Sequence, residues 1–182
     1  MRIIGGEARG RRLFAPEGLE TRPTADKVRE SLFNILRIET PGARVLDLFA
    51  GSGALALEAI SRGAEFAVLA DCSRKAMDSI RRNVEACRAQ EKTRLLLCDW
   101  RRAVEQLTEP FDLVFLDPPY RMTEVYGQAA ALLFERGLLS GDAVLVMEHA
   151  SDAPLFLPEE FEVCDERVYG AAAVAFVRRE AS

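Results

Sequence analysis

Short runs of consecutive apolar residues alternate with stretches of helical spacing through most of this 182-residue chain. The runs are Val45–Phe49 (broken only by Asp47), Phe66–Ala70, Leu95–Cys98, Leu113–Leu116 and Ala143–Met147. Between them the spacing predicts helices over about Ala54–Arg62, Ser73–Arg88, Arg101–Leu107 and Val125–Arg136. The runs do not alternate polar with apolar residues, as expected of parallel strands covered on both faces. Repeated strand–helix units of this kind wind into an open α/β sheet with right-handed crossovers. The C-terminal pattern differs: Phe161–Val168 and Ala172–Arg178, joined through Tyr169-Gly170, read as an antiparallel hairpin. The expected fold is a Rossmann-like, doubly wound, mostly parallel seven-stranded sheet closed by that hairpin.

Before the alternation begins, residues 1–15 read as two short strands around the Gly5-Gly6 and Gly10 breaks, followed by a turn at Pro16-Glu17-Gly18. Thr24 stands where a helix cap is expected, and Val28, Leu32, Ile35 and Leu36 form one apolar face behind it. Pro41-Gly42 ends this section. Residues 1–40 thus extend a core spanning 41–182, and the length suits a single domain.

Composition removes several classes. Apolar residues make up 49% and charged residues 29%, ample for a packed core and unlike disordered or fibrous chains. No apolar run reaches the roughly 18 residues of a membrane span. Cys72, Cys87, Cys98 and Cys164 lie 15, 11 and 66 positions apart, which is neither a zinc spacing nor a disulfide framework, and a reduced cytoplasmic setting is expected. With His149 the sole histidine, a histidine-rich metal centre is disfavoured and no metal is expected. The net charge of −5 is unevenly spread: residues 1–16 hold Arg2, Arg9, Arg11 and Arg12 against Glu7 alone. A basic flap on an acidic body suggests a nucleic-acid contact at one end, although a solvated hairpin would look the same.

The acids fall where ligands bind. Asp71, Asp99 and Asp117 each follow an apolar run, Asp47 lies near the end of the first, and Glu148 follows the fifth. In an open α/β sheet the carboxyl ends of the strands border the ligand crevice. Any one of these acids could be a helix cap, but jointly they line a single cleft that favours hydroxyl, amino and cationic groups over pyrophosphate. Gly51-Ser52-Gly53-Ala54-Leu55-Ala56 matches the G-x-G-x-x-G/A nucleotide loop, with Asp71 placed 20 residues beyond Gly51 to accept from ribose hydroxyls. A dinucleotide would fit the glycines but not the acids. S-adenosylmethionine (SAM), a cationic nucleoside without phosphates, fits both.

Asp117-Pro118-Pro119-Tyr120 supplies the chemistry. Neither proline has an N–H, so the loop presents acceptors, the Asp117 carboxylate and the Pro118 carbonyl. Both can converge on an exocyclic NH₂ and aim its lone pair at a methyl donor. Tyr120 can stack on an extruded base. Trp100 reads as packing more than as a cofactor platform, and His149 beside Glu148 reads as structural.

With Asp47-Leu48-Phe49-Ala50-Gly51-Ser52-Gly53, Asp117–Tyr120, the N-terminal block Arg2–Arg11, Thr21-Arg22-Pro23-Thr24 and Val28–Leu36, the chain resembles the bacterial 16S rRNA (guanine-N2)-methyltransferase D family of class I methyltransferases. The resemblance runs along almost the whole chain. It implies the class I methyltransferase fold, SAM as cofactor, and guanine 966 of 16S rRNA as target. It implies that Asp47, Phe49, Gly51, Gly53, Asp71, Cys72, Asp99 and Trp100 form the cofactor site. Asp117, Pro118, Pro119 and Tyr120 would hold the guanine, with Arg2, Arg9, Arg11, Arg12 and Arg22 on the RNA. The expected partner is 16S rRNA or the small ribosomal subunit, met by a cytoplasmic monomer without membrane attachment. Two positions depart from the family's habit, Ala56 for glycine and Cys72 for a polar residue. A DNA adenine-N6 or cytosine-N4 methyltransferase shares the acceptor loop, but 182 residues leave no separate sequence-reading domain. A catalytically silent RNA-binding or assembly factor retaining the fold is disfavoured by the intact Asp117–Tyr120 and glycine loops, and a SAM-binding titration discriminates. A nicotinamide-dependent oxidoreductase is disfavoured by the acids of the crevice.

Overall fold

A computed structural model describes residues 1–18 and 23–180. Helix α1 (Pro23–Ile35) precedes an alternating series: β1 (Arg44–Asp47), α2 (Ala54–Ser61), β2 (Phe66–Asp71), α3 (Arg74–Ala86), β3 (Thr93–Leu97), α4 (Trp100–Glu105), β4 (Phe111–Leu116) and α5 (Val125–Glu135). Three strands finish the chain: β5 (Leu139–Ala150), β6 (Phe161–Tyr169) and β7 (Ala172–Arg179). The seven strands lie in the order β3-β2-β1-β4-β5-β7-β6. β1 to β5 are parallel, while β7 runs antiparallel to both β5 and β6. The fold expected from the alternation is thus observed, with the hairpin forming one edge.

Burial follows the apolar runs. Val45, Leu46, Leu113, Val114, Phe115 and Leu145 are inaccessible to solvent, as strands covered on both faces must be. On one face Phe33 of α1, Leu57 of α2 and Met77 and Ile80 of α3 pack over Val45 and Phe115. On the other, Val104 of α4 and Leu133 of α5 pack over Leu46 and Val114. Strand order reverses between β1 and β4, the point at which adjacent crossovers diverge and open a crevice.

The N-terminal segment departs from expectation. Instead of two strands it makes a single antiparallel bridge, Arg2 with Arg12. Across the bridge Ile3 N–H donates to the Arg11 carbonyl and Leu13 N–H to the Met1 carbonyl, both at 2.9 Å, but pairing stops there because the next backbone donors go to α2. Ile4 N–H and Gly5 N–H donate to the Glu58 carboxylate, both at 2.8 Å, Glu7 N–H to the Ser61 carbonyl and Ala8 N–H to Ser61 Oγ. Gly6 sits so close to α2 that a Cβ there would lie 1.9 Å from the Ser61 carbonyl oxygen, at a φ of +76°. Further on, Asn83 of α3 fixes Phe14: its Oδ1 accepts from Phe14 N–H, and its Nδ2 donates to the Phe14 and Ser52 carbonyls. The first turn of α1 also differs, because the helix opens at Pro23 and takes in Thr24, so Thr24 is not the residue before it.

Glu58 has no solvent exposure and is held by Arg62 at 2.8 Å and Arg29 at 3.6 Å besides the two backbone donors. Removing one partner of a buried pair leaves the rest uncompensated. Glu58→Ala should therefore destabilise the protein by about 3 kcal/mol in urea melts and release the N-terminal amides to hydrogen exchange. A loss under about 1 kcal/mol, with those amides still protected, would contradict this role.

Candidate active site

The carboxyl ends of the parallel strands gather the predicted acids. Asp47 closes β1 and is 1% exposed. Its carboxylate accepts from the Phe49 N–H, but Oδ1 has no hydrogen-bond partner. Burial, with a smaller contribution from neighbouring Asp71, raises its pKa from the ordinary 3.8 to about 7. The half-buried Phe49 ring packs on the α4–α5 face. Asp71 closes β2 and is tied on both oxygens: Gly51 N–H donates to Oδ2 at 2.9 Å and Ser73 N–H to Oδ1 at 2.8 Å. Gly51 and Gly53 have φ of +59° and +79°, conformations glycine adopts freely, and Gly53 caps α2. Cys72 is exposed between Asp71 and Ser73. These residues fit a cationic nucleoside: a buried carboxylate oxygen can take a donor or cation, and side-chain-free backbone borders it.

Asp99 caps α4, accepting from the N–H groups of Arg101 and Arg102 at 3.0 and 3.2 Å. Trp100 opens α4 and is 6% exposed. Its side chain is buried among Val104 and Leu107 on the α4–α5 face, with the Arg101 guanidinium 4.4 Å from the ring centroid. The opening residue of an amphipathic helix turns inward, and here that direction is the core.

Beyond β4, Asp117 faces an acidic neighbour. Leu116 and Met147 are partners in the β4–β5 register, so Asp117 and Glu148 emerge side by side. Asp47 pairs with Phe115, two positions before Asp117, which places all three acids on one face of the sheet. Asp117 is exposed at the cleft mouth, with protein packed closely around it. Desolvation by that packing, then the charges of Glu148 and Asp47, hold its pKa well above the usual carboxylate range. Burial raises Glu148 as well. Pro118 is buried and its carbonyl receives no hydrogen bond among the described residues, whereas the Pro119 carbonyl accepts from Met122 N–H at 2.9 Å. The Tyr120 ring is 58% exposed over this loop, and desolvation together with Glu148 and Asp117 raises its pKa.

Tyr126 escaped the sequence reading. Buried in α5, it donates its hydroxyl to the Glu148 carbonyl at 2.6 Å and fixes that acid's strand end. No periodic signal separates this tyrosine from the apolar residues around it. His149 is structural as read: Nδ1 lies 2.9 Å from the Ala150 carbonyl and Nε2 2.9 Å from Glu166. Arg22 lies outside the described residues. Arg2, Arg9, Arg11 and Arg12 form no ion pair with the cleft acids among the described residues. Arg2 faces Asp26 at 3.9 Å, and Arg2 and Arg9 line a cavity of about 420 Å³ beside α1.

A nucleotide-type glycine loop, an acid-lined crevice at the strand reversal and an Asp-Pro-Pro-Tyr acceptor loop, on a sheet closed by an antiparallel hairpin, define a class I methyltransferase domain. The family model for conserved hypothetical protein 95 matches residues 1–178. A putative rRNA methyltransferase, YlbH, of Bacillus subtilis is 36% identical over 98% of this chain and 99% of its own length. Ribosomal RNA small subunit methyltransferase D of Escherichia coli is 36% identical over 100% of this chain and 91% of its own. Among solved structures, the putative methyltransferase yhhF from Escherichia coli superposes with a TM-score of 0.87 at 36% identity, covering 100% of this chain and 99% of that one. A putative methylase from Haemophilus influenzae gives 0.81 at 30% identity over 98% and 97%. The chain belongs to the family of ribosomal RNA small subunit methyltransferase D.

The raised Asp47 pKa carries a stability cost with a defined sign. The folded state holds this proton more tightly than the unfolded chain, so no cost exists below about pH 4. It grows as pH rises and is complete above about pH 7, reaching at most about 4 kcal/mol. Asp47→Asn should therefore raise the melting temperature at pH 8 but not at pH 4, while weakening SAM binding in calorimetry. A variant less stable than the parent at pH 8 would refute the assignment.

Proposed function

We propose that this protein methylates the exocyclic N2 amine of one guanine in 16S rRNA, guanine 966 in conventional numbering, on the small ribosomal subunit or its precursor. The reading is carried by the placement of Asp117 and the free Pro118 carbonyl at the mouth of an acid-lined cleft, beside the glycine loop. Bound SAM supplies a methyl group already activated by its sulfonium. The relatives named as rRNA methyltransferases support RNA as the acceptor.

The chain's own part is to position and desolvate. Asp47 Oδ1, unpaired and buried, offers a site for a cationic group, and Asp71 offers its remaining lone pairs to ribose hydroxyls. Gly51 and Gly53 let the backbone close on the nucleoside. Asp99 keeps lone pairs free for the adenine amine while capping α4. Asp117 and Pro118 accept from the two N–H groups of the guanine amine, which turns its lone pair outward. A carboxylate there also stabilises positive charge as it develops on nitrogen. Because crowding raises its proton affinity, Asp117 Oδ can take the surplus proton afterwards. The exposed Tyr120 ring stacks on the base.

One chain holds the whole cleft, so a monomer suffices, and residues 1–40 act with the core as one domain through Glu58 and Asn83. No helix of the described residues is long and apolar enough to cross a membrane. We place the enzyme in the cytoplasm with its ribosomal substrate.

Labelled methyl transfer to small subunits lacking the modification, run beside free 16S rRNA and duplex DNA, tests the reading. N2-methylguanosine in the RNA is the expected product; label confined to DNA would replace the RNA assignment. Asp117→Ala should lose at least about 100-fold in turnover while binding SAM within a few-fold of the parent. Undiminished turnover would remove Asp117 from the mechanism.

A further inference from the structure

The acids of the cleft leave open where an RNA backbone could rest, since phosphates are repelled from that end of the molecule. Basic residues collect elsewhere. Residues 74–94, covering α3 and the turn after it, hold seven cations against three acids in a chain of net charge −5. This segment packs against the basic N-terminal block: Asn83 brackets Phe14, and the Arg82 guanidinium lies 3.8 Å from the centroid of the Phe14 ring. Two basic stretches nearly 60 positions apart in sequence thereby form one face.

Between the hairpin and the C-terminal end of α3 lies a cavity of about 380 Å³. Arg11, Arg88 and Lys92 line it with Glu7, Ser61 and Cys87. All three cations are exposed, and none has an ion-pair partner among the described residues. Arg9, Arg12, Arg37 and Arg94 are likewise exposed without an ion pair among the described residues, so what sets the cavity apart is that three such cations converge on it.

The backbone at Arg88 adds an independent observation. α3 ends in a Schellman motif, with Arg88 N–H on the Glu85 carbonyl and Ala89 N–H on the Val84 carbonyl. The left-handed position of that motif ordinarily belongs to glycine or asparagine. Arginine occupies it here at φ +54°, the only non-glycine residue with positive φ among those described. Such a conformation is costly for a side chain with a Cβ and persists where the side chain has a use. The use on view is a third cation at the cavity rim.

We propose that this cavity is a phosphate-binding site for the RNA backbone, built by Arg11, Arg88 and Lys92 and set about one α3 length, roughly 20 Å, from the methyl-transfer cleft. It rests on the RNA reading above and extends it to a second contact. Arg74 and Arg81 continue the seven-residue spacing of Arg88 back along exposed α3, and they lead from the cleft end to the cavity. The site holds RNA by charge, without reading bases.

The test uses the full chain with Arg88→Gly, Lys92→Gln and the double variant, and Arg37→Gln as a control cation outside both basic segments. Binding to free 16S rRNA and small subunits is measured across salt concentrations, together with KM for methyl transfer, SAM affinity and melting temperature. The double variant should bind RNA several-fold more weakly, raise KM and flatten the log–log salt slope by about 0.7–0.9 per lost phosphate contact, with SAM affinity unmoved. Arg88→Gly should weaken RNA binding while melting no lower than the parent, because glycine relieves the strained φ. A purely structural arginine would leave RNA affinity alone. RNA binding and a salt slope equal to the parent's, or the same loss in Arg37→Gln, would overturn the site while leaving the methylation reading intact. A parent that neither binds nor methylates RNA would overturn both.

Discussion

Three carboxylates, Asp47, Asp117 and Glu148, converge at the carboxyl ends of the central strands with no ion-pair partner among the described residues. Parallel register enforces the crowding: β1, β4 and β5 are neighbours, and their ends bring these residues to the same face. Left alone, the cluster disfavours its own ionisation. A ligand that is cationic, or that offers N–H and O–H donors, relieves it, so the cleft discriminates by charge. Specificity toward an amine and against a polyphosphate is present before any contact is made.

The same constraint divides the molecule electrostatically. A polyanionic substrate must be gripped where its phosphates are welcome and presented to a crevice where they are not. The N-terminal block and α3 carry the positive charge, and the strand ends carry the negative. Only a base, freed from its backbone, enters the second region without opposition. Tyr120 at the cleft mouth offers such a base an uncharged surface.

Much of this was legible because its signals are local. Each cleft acid ends or follows an apolar run, so its place at a strand terminus could be read from two or three neighbours. The Asp117–Tyr120 loop and the glycine turn announce themselves likewise. What escaped depends on distant partners. Glu58 sits in an otherwise apolar helix and reads as a surface interruption, yet its donors are 53 and 54 positions away. Asn83 gains meaning only from Phe14, 69 positions earlier. The strands expected at the N-terminus shrink to one bridge for this reason, since the backbone donors of Ile4, Gly5, Glu7 and Ala8 go to α2 while only Ile3, Gly10 and Leu13 bond across. Trp100 is ambiguous in the sequence because a helix start beside a ligand crevice can face either way; its side chain lies in the buried cluster with Val104 and Leu107.

The anchoring of the N-terminal hairpin also makes its place conditional. The side chains of α2 and α3 that receive it, Glu58, Ser61 and Asn83, all lie well beyond it in the sequence. These contacts therefore exist only where α2 and α3 are already helical, so the basic segment depends for its place on residues 53 or more positions further along the chain.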